Sequence, residues 1–198
     1  SNKNELAYKM IKKWPKWPTQ VVYIYGSEKC GKSLDCKLWK DVSRGIYINK
    51  KNFMEKLIAQ NDLTYIQNHN WIIDDVDYII SFEDNKYEEK ILNLINIIKT
   101  NGKKNLLMTS RKMPRFLDSG LQDLISRISS STVIEMRDPD EILLKKIIEK
   151  YLNERNIQIN NESLDYLINR IERSYKGALK VAKEIDIMSL EKKTKINK

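Results

Sequence analysis

The chain has 198 residues, enough for one medium domain or one domain with a small appendage. Its hydrophobic fraction of 41% can build a real core, while no run of about 18 apolar residues exists to span a membrane and no apolar leader with a cleavage site is visible. One histidine, His69, leaves almost no material for a zinc site or a Ser-His-Asp triad, and two cysteines, Cys30 and Cys36, fit a reduced cytoplasmic protein better than a disulfide scaffold.

Lys and Arg exceed Asp and Glu by 36 − 27 = 9. The excess gathers at the ends, with five Lys against one Glu in residues 1–16 and four Lys against one Glu in residues 191–198. Such runs are solvated termini, or contacts for DNA phosphates or an acidic partner.

Leu6, Ala7, Met10 and Ile11 have helical spacing over residues 4–13, and Pro15 and Pro18 end it in a packed Trp14–Trp17 corner. Val21–Tyr25 reads as a strand. A helix is expected from about Lys32 to Ser43 with Leu34, Leu38 and Trp39 inward, then a strand at Ile46–Ile48 and a short helix through about Gln60, capped by Asn52. Trp71–Asp75 is a buried-type strand ending in two acids. A helix over about Glu88–Thr100, a strand at Leu106–Thr109, a helix at 121–128 and a strand at Thr132–Met136 follow. Strands alternating with helices predict an α/β fold, a parallel sheet sandwiched by helices.

After Asp138-Pro139 no strand signals remain. Asp138 is expected to cap a helix with Pro139 in its first position, and Ile142, Leu143, Ile147, Ile148, Tyr151 and Leu152 form the apolar stripe. Two more helices, near 162–171 and 175–186, complete a three-helix unit of about 50 residues, marginal in stability by itself and expected to pack against the α/β part. The expected organisation is an α/β nucleotide-binding domain over 1–137, a three-helix lid over 138–190 and a basic tail over 191–198.

The chemistry centres on Gly26-Ser27-Glu28-Lys29-Cys30-Gly31-Lys32-Ser33, a complete G-x-x-x-x-G-K-S phosphate loop between a strand and a helix. Its main-chain N–H groups, with that of Leu34, and the positive helix end converge on one spot suited to a polyphosphate. Lys32 is expected on the terminal phosphates and Ser33 on Mg2+. Asp74, at the end of a strand about 40 residues on, is placed to hold the same Mg2+, and Asp75 to orient an attacking water. Asp77 reads as a turn residue. Thr109 and Ser110 end the next strand, where a polar side chain can sit between the acid and the γ-phosphate. Arg127 either pairs with Asp123 one helical turn away or reaches a nucleotide on a neighbouring subunit. Arg173, between two lid helices, is either a solvated charge or an arginine folded over bound phosphates.

Taken together, these segments resemble the AAA+ module of the DnaA family of replication initiators, and most closely its short Hda-type regulators. Asn4-Glu5-Leu6-Ala7 resembles the opening of that module. Met113-Pro114-Arg115-Phe116-Leu117, Gly120-Leu121, Asp123-Leu124 and Ser126-Arg127 resemble the segment leading to the arginine finger, and Arg173 with Gly177-Ala178-Leu179 the sensor-two region. The resemblance covers about Asn4 to Asp186. It implies a P-loop AAA+ core with a helical lid, bound ADP or ATP with Mg2+, and head-to-tail contact with the DnaA initiator, Arg127 acting in trans. It admits head-to-tail self-association and DNA contact through partners. No helix-turn-helix domain follows the lid, so sequence-specific origin binding is not expected. A sliding-clamp motif is not visible before Asn4. Arg111 stands where DnaA carries an acid, which implies weak intrinsic ATPase at most. An autonomous ATPase such as a helicase loader, and a single-strand DNA module using Lys50 and Lys51 beside Phe53, are the alternatives.

Overall fold

The structure, a computed structural model, describes residues 4–82 and 85–192. Of the basic tail expected over 191–198, residues 193–198 lie outside the described residues, as do the first three residues, while 191–192 end the last helix. The chain divides into two compact units. One comprises Glu5–Glu28 and Lys32–Met136, and the other contains Asn4, Lys29–Gly31 and the chain from Arg137 onward.

The first unit is built on five parallel strands, β1 (Val21–Gly26), β2 (Ile46–Ile48), β3 (Trp71–Ile73), β4 (Leu106–Ser110) and β5 (Thr132–Met136), in the order β2-β3-β4-β1-β5. All five strand positions agree with the sequence patterns. The central strands are buried on both faces, as parallel pairing under helices requires, so they read as unbroken apolar runs rather than alternating ones. Every strand's C-terminal end lies along one edge of the sheet, the edge at which open α/β sheets bind ligands.

The helices of this unit are α1 (Glu5–Lys13), α2 (Lys32–Ser43), α3 (Leu63–Asn68), α4 (Val76–Ile80), α5 (Asn85–Asn101) and α6 (Gln122–Ser129). Ile91, Leu94, Ile95 and Ile98 of α5 bury the stripe that its periodicity predicts. The Trp14–Trp17 corner packs as expected: Trp17 stacks on Trp39 with ring centroids 4.6 Å apart, and Trp14 meets Trp39 edge-on at 6.3 Å. Aromatic pairs of this kind add about 0.5–1.5 kcal/mol beyond the area they bury.

Three expectations for this unit change. On α2 the inward face is Lys32, Asp35, Cys36, Trp39 and Ser43, while Leu34 and Leu38 face outward. Buried Trp39 fixes the rotation, and residues one turn before it, Asp35 and Cys36, follow it inward. The segment after β2 forms a single π-helical turn, Met54–Ile58, preceded by Phe53 without a side-chain cap. The Asn52 amide bonds backward instead, accepting from the Asn49 N–H at 2.9 Å and donating to the Tyr47 carbonyl at 3.3 Å. Helices α3 and α4 are additional. Asp62 caps α3, accepting from the N–H groups of Thr64 and Tyr65.

The second unit holds α7 (Glu141–Asn153), α8 (Asn161–Ile168) and α9 (Tyr175–Lys192) around Leu144, Ile148, Leu152, Leu164, Ile168, Ala178, Ala182 and Ile185. The cap of α7 is Asp140, not Asp138: its carboxylate accepts the Leu143 N–H at 2.9 Å, so Pro139 precedes the helix instead of opening it. Ile142 faces outward at 62% exposure, and Leu144 is buried in its place. Asn160 caps α8, accepting from Ser163, and Ser174 accepts the Gly177 N–H at 2.9 Å at the start of α9. Each such cap contributes about 1 kcal/mol. Gly177 is required by space, since a β-carbon there would lie 2.5 Å from the Glu172 carbonyl oxygen.

Candidate functional site

The phosphate-loop segment leaves β1 at Gly26 and enters α2 at Lys32. Lys29 (φ 66°) and Gly31 (φ 116°) take left-handed backbone angles; at Gly31 a side chain would be strained, which accounts for the second glycine of the pattern. Lys32 is buried, and its ammonium donates to the Gly26 carbonyl at 2.8 Å and the Ser27 carbonyl at 2.6 Å. Ser27, Glu28, Ser33 and Leu34 are exposed, whereas Cys30 is buried. Within the second unit, Lys29 forms an ion pair with Glu172 at 3.0 Å.

Asp74 and Asp75 follow β3, as the sequence predicts. The Asp74 carboxylate is buried in hydroxyls: Thr109 donates to Oδ1 at 2.6 Å, Tyr47 donates to Oδ2, and the Cys36 thiol approaches Oδ1 at 3.9 Å. Cys36 lies one turn into the helix that the phosphate loop opens, so this contact joins the loop's helix to the acid strand. The Thr109 hydroxyl also accepts the Asp75 N–H at 3.0 Å, and so one side chain fixes both acids. Asp75 itself sits in the left-handed region (φ 58°, ψ 53°) at the start of α4. A non-glycine residue there stores about 1–3 kcal/mol of strain, a cost that clusters at working sites. Burial raises the Asp75 pKa, Asp74 and Asp77 add to the rise, and Lys32 and Arg111 oppose it.

Asp77 is not a turn residue. It lies buried in the first turn of α4 and accepts the Arg111 N–H at 3.3 Å on one oxygen and its Nε–H at 3.0 Å on the other. Tyr47, Cys36 and the Asp77–Arg111 clasp were all missed by sequence reasoning. Tyr47 pairs with Ile72 across β2 and β3, and Ile72 shares its sheet face with Asp74, so only the strand register reveals the contact.

Arg127 is exposed in the last turn of α6 and pairs with Asp123 at 3.4 Å, one turn earlier. Arg173 belongs to the helical unit, where its guanidinium bonds Glu141 at 2.8 Å. The Arg127 pair is the one that spacing allowed, whereas the Glu141 partner of Arg173, 32 residues away in sequence, was not foreseen. The single-strand DNA alternative loses its stacking partner: Phe53 is 5% exposed and packs against Phe82 and Tyr87 in the core. Lys50 instead lies over the Tyr78 ring.

The donor set suits Mg2+ with phosphate. Ser33 and Asp74 carry hard oxygens of the kind Mg2+ takes, and no cluster of three or more metal-binding side chains exists among the described residues. Mg2+ characteristically takes one or two protein oxygens and completes its shell with phosphate and water. No helix among the described residues is long and apolar enough to cross a membrane.

No protein-family model matches the chain. An uncharacterized protein of Haemophilus influenzae is 24% identical over 176 residues, covering 85% of this chain and 74% of that protein. DnaA of Aquifex aeolicus is 25% identical over 199 aligned positions, covering 91% of this chain and 49% of DnaA. The chain thus spans about half the length of that initiator. Among solved structures, DnaA bound to AMPPCP and single-stranded DNA superimposes with a TM-score of 0.82 at 21% identity, over 98% of this chain and 65% of that one. Domain III of Thermotoga maritima DnaA gives 0.82 at 19% identity, over 100% of this chain and 88% of that one. The fold is therefore the AAA+ fold of DnaA domain III, and the sequence is DnaA-like at low identity.

Proposed function

We propose that this chain is a nucleotide-binding regulator of replication initiation, of the Hda type, that stimulates ATP hydrolysis by DnaA. The observation that carries the reading is one hub on a DnaA-like fold. Phosphate loop, paired acids and Thr109 share the C-terminal edge of the parallel sheet, and Cys36 ties the loop's helix to Asp74.

Gly26–Ser33 and the Leu34 N–H would cradle the phosphates of ADP or ATP, Lys32 would exchange its loop carbonyls for phosphate oxygens, and Ser33 and Asp74 would hold Mg2+. Bound Mg2+ supplies charge neutralisation on the phosphates. Tyr47 and Thr109 keep the Asp74 carboxylate turned to one geometry. Arg173 would sense this chain's own nucleotide, which requires it to leave Glu141. That exposed pair offers little resistance, since such pairs are worth about 0–1 kcal/mol.

Arg127 is suited to act in trans. It stands exposed at a helix end, and its pairing with exposed Asp123 is equally cheap to break. An arginine supplied to another subunit's ATP stabilises charge that develops on the γ-phosphate. Intrinsic hydrolysis is expected to be weak, because Arg111 stands where DnaA carries an acid. The strained, Thr109-anchored Asp75 favours the second reading, an autonomous ATPase.

Arg127→Ala is expected to fold, bind ADP normally and lose stimulation of DnaA hydrolysis in an assay containing DnaA, sliding clamp and DNA. Arginine fingers contribute about 10³–10⁵ in rate, so the loss is expected to be near-complete. Undiminished stimulation would remove Arg127 from this role. Turnover by the isolated protein at an ordinary enzymatic rate of about 1–10 s⁻¹ would favour the autonomous ATPase.

A further inference from the structure

We propose that Arg111 is a specificity-determining residue, a cation held in cis by Asp77 to bind the terminal phosphate of a nucleoside triphosphate and so distinguish it from a diphosphate. The inference rests on the nucleotide site proposed above.

Placement comes first. The register pairs Tyr25 of β1 with Ser110 of β4, so Arg111 leaves the sheet level with Gly26, where the phosphate loop begins. Its charge is near enough to Asp75 and to the loop residue Glu28 for both to act on it, and the Asp75 carboxylate feels Lys32 and Arg111 together. Arg111 and Lys32 therefore both act electrostatically on one acid, and the register sets Arg111 on the ligand edge of the sheet.

Orientation comes second. Asp77 is buried, with a side chain 3% exposed, and it takes both the main-chain N–H and the Nε–H of Arg111. A guanidinium has five donors in a rigid fork. With the Nε edge engaged, the two terminal amino groups carry the remaining donors, and they take no hydrogen bond among the described residues. The side chain is 52% exposed, so a ligand can reach it while its Nε end stays anchored. A surface arginine would hold no such fixed direction. A buried carboxylate spent on aiming a half-exposed guanidinium gives the fork a preset heading, the arrangement that suits a phosphate.

Chemistry comes third. A terminal phosphate brings added negative charge and oxygens that accept forked N–H donors, which a diphosphate does not extend to the same place. The acid Asp75 beside Arg111 is repelled by that same phosphate, and a cation between them offsets the repulsion.

The test measures ADP and AMPPCP affinities by calorimetry for wild type, Arg111→Ala, Asp77→Asn and the double variant, with thermal melting to confirm folding. Arg111→Ala is expected to weaken AMPPCP by about 10–100-fold, the worth of a charge-assisted hydrogen bond, and ADP by no more than about threefold. Asp77→Asn is expected to weaken AMPPCP by less, and to add nothing in the Arg111→Ala background, as a positioning residue must. Equal losses for both nucleotides, or no loss of AMPPCP affinity in Arg111→Ala, would overturn the assignment. If Asp77→Asn does not fold, Arg111→Ala alone decides. Wild-type protein that binds neither nucleotide would instead refute the underlying nucleotide site, so the two failures are distinct.

Discussion

Replacing Lys32 with alanine is expected to abolish most nucleotide affinity while leaving the fold intact. The ammonium already sits at the mouth of the loop, on the carbonyls of Gly26 and Ser27. On ligand binding those two bonds are exchanged for charge-assisted bonds to phosphate, each worth about 1.5–3 kcal/mol. Loss of two such bonds lowers affinity by about 100-fold or more. Ser27 is exposed, so water can take over the carbonyl and the variant should melt near wild type in the absence of nucleotide. With ligand the two proteins separate. A nucleotide at about 100 times its dissociation constant stabilises wild type by about 2.7 kcal/mol, and Lys32→Ala should show little of that gain. Isothermal titration with ADP, paired with melting curves, checks both parts. An unaltered ADP titration would show that the loop is not the site.

The second large effect is on stability and concerns Asp35. This residue lies one turn inside α2, buried, with its Oδ2 unpaired among the described residues. Burial pushes its pKa from the ordinary 3.8 up to about 6. The sign follows from proton linkage. A carboxyl whose pKa is raised on folding is protonated more readily in the folded state. The stability it permits is fully present below the unfolded pKa near 3.8 and is lost as pH rises through about 6. Above that window the folded protein carries the cost of a buried charge, on the order of 3 kcal/mol at 1.36 kcal/mol per pKa unit. Asp35→Asn keeps the shape and removes the charge. It is expected to stabilise the α/β unit by about 1–3 kcal/mol at pH 7, less than the full cost because the amide is still buried. The gain over wild type should shrink through pH 6 to 4 and vanish below. Urea denaturation of both proteins at pH 7, 5.5 and 4 reads this directly. A pH-independent difference, or a destabilised variant at pH 7, would contradict the burial account.

Much of this fold was legible because its signals are long or buried. The five strands are apolar runs too short for helices, and α5 repeats its apolar residues at helical spacing from Ile91 to Ile98. Both the phosphate loop and the acid-ended β3 strand were read in place because their chemistry is local to a few consecutive residues. What escaped was short or required register. Helix α4 has five residues, too few to show a period, so Asp77 passed for a turn and its hold on Arg111 was invisible. Tyr47 reaches Asp74 only once β2 is set beside β3. On α2 the sequence offers two competing faces, Leu34 and Leu38 or Cys36 and Trp39. Volume decides, since an indole gains more by burial than a leucine, and Trp14 and Trp17 wait to receive it. The cap of α7 moved two residues because Asp140, like Asp138, has a carboxylate of the right reach, and only geometry chooses between them.

The central claim is that the main chain from Gly26 to Ser33 grips a nucleotide's phosphates. A crystal structure of the protein grown with excess ADP and Mg2+ tests it most directly. The account predicts the diphosphate wrapped by that segment, with the Lys32 ammonium moved from the Gly26 and Ser27 carbonyls onto phosphate oxygens. ADP seated elsewhere, with Lys32 still on its own loop, would contradict it.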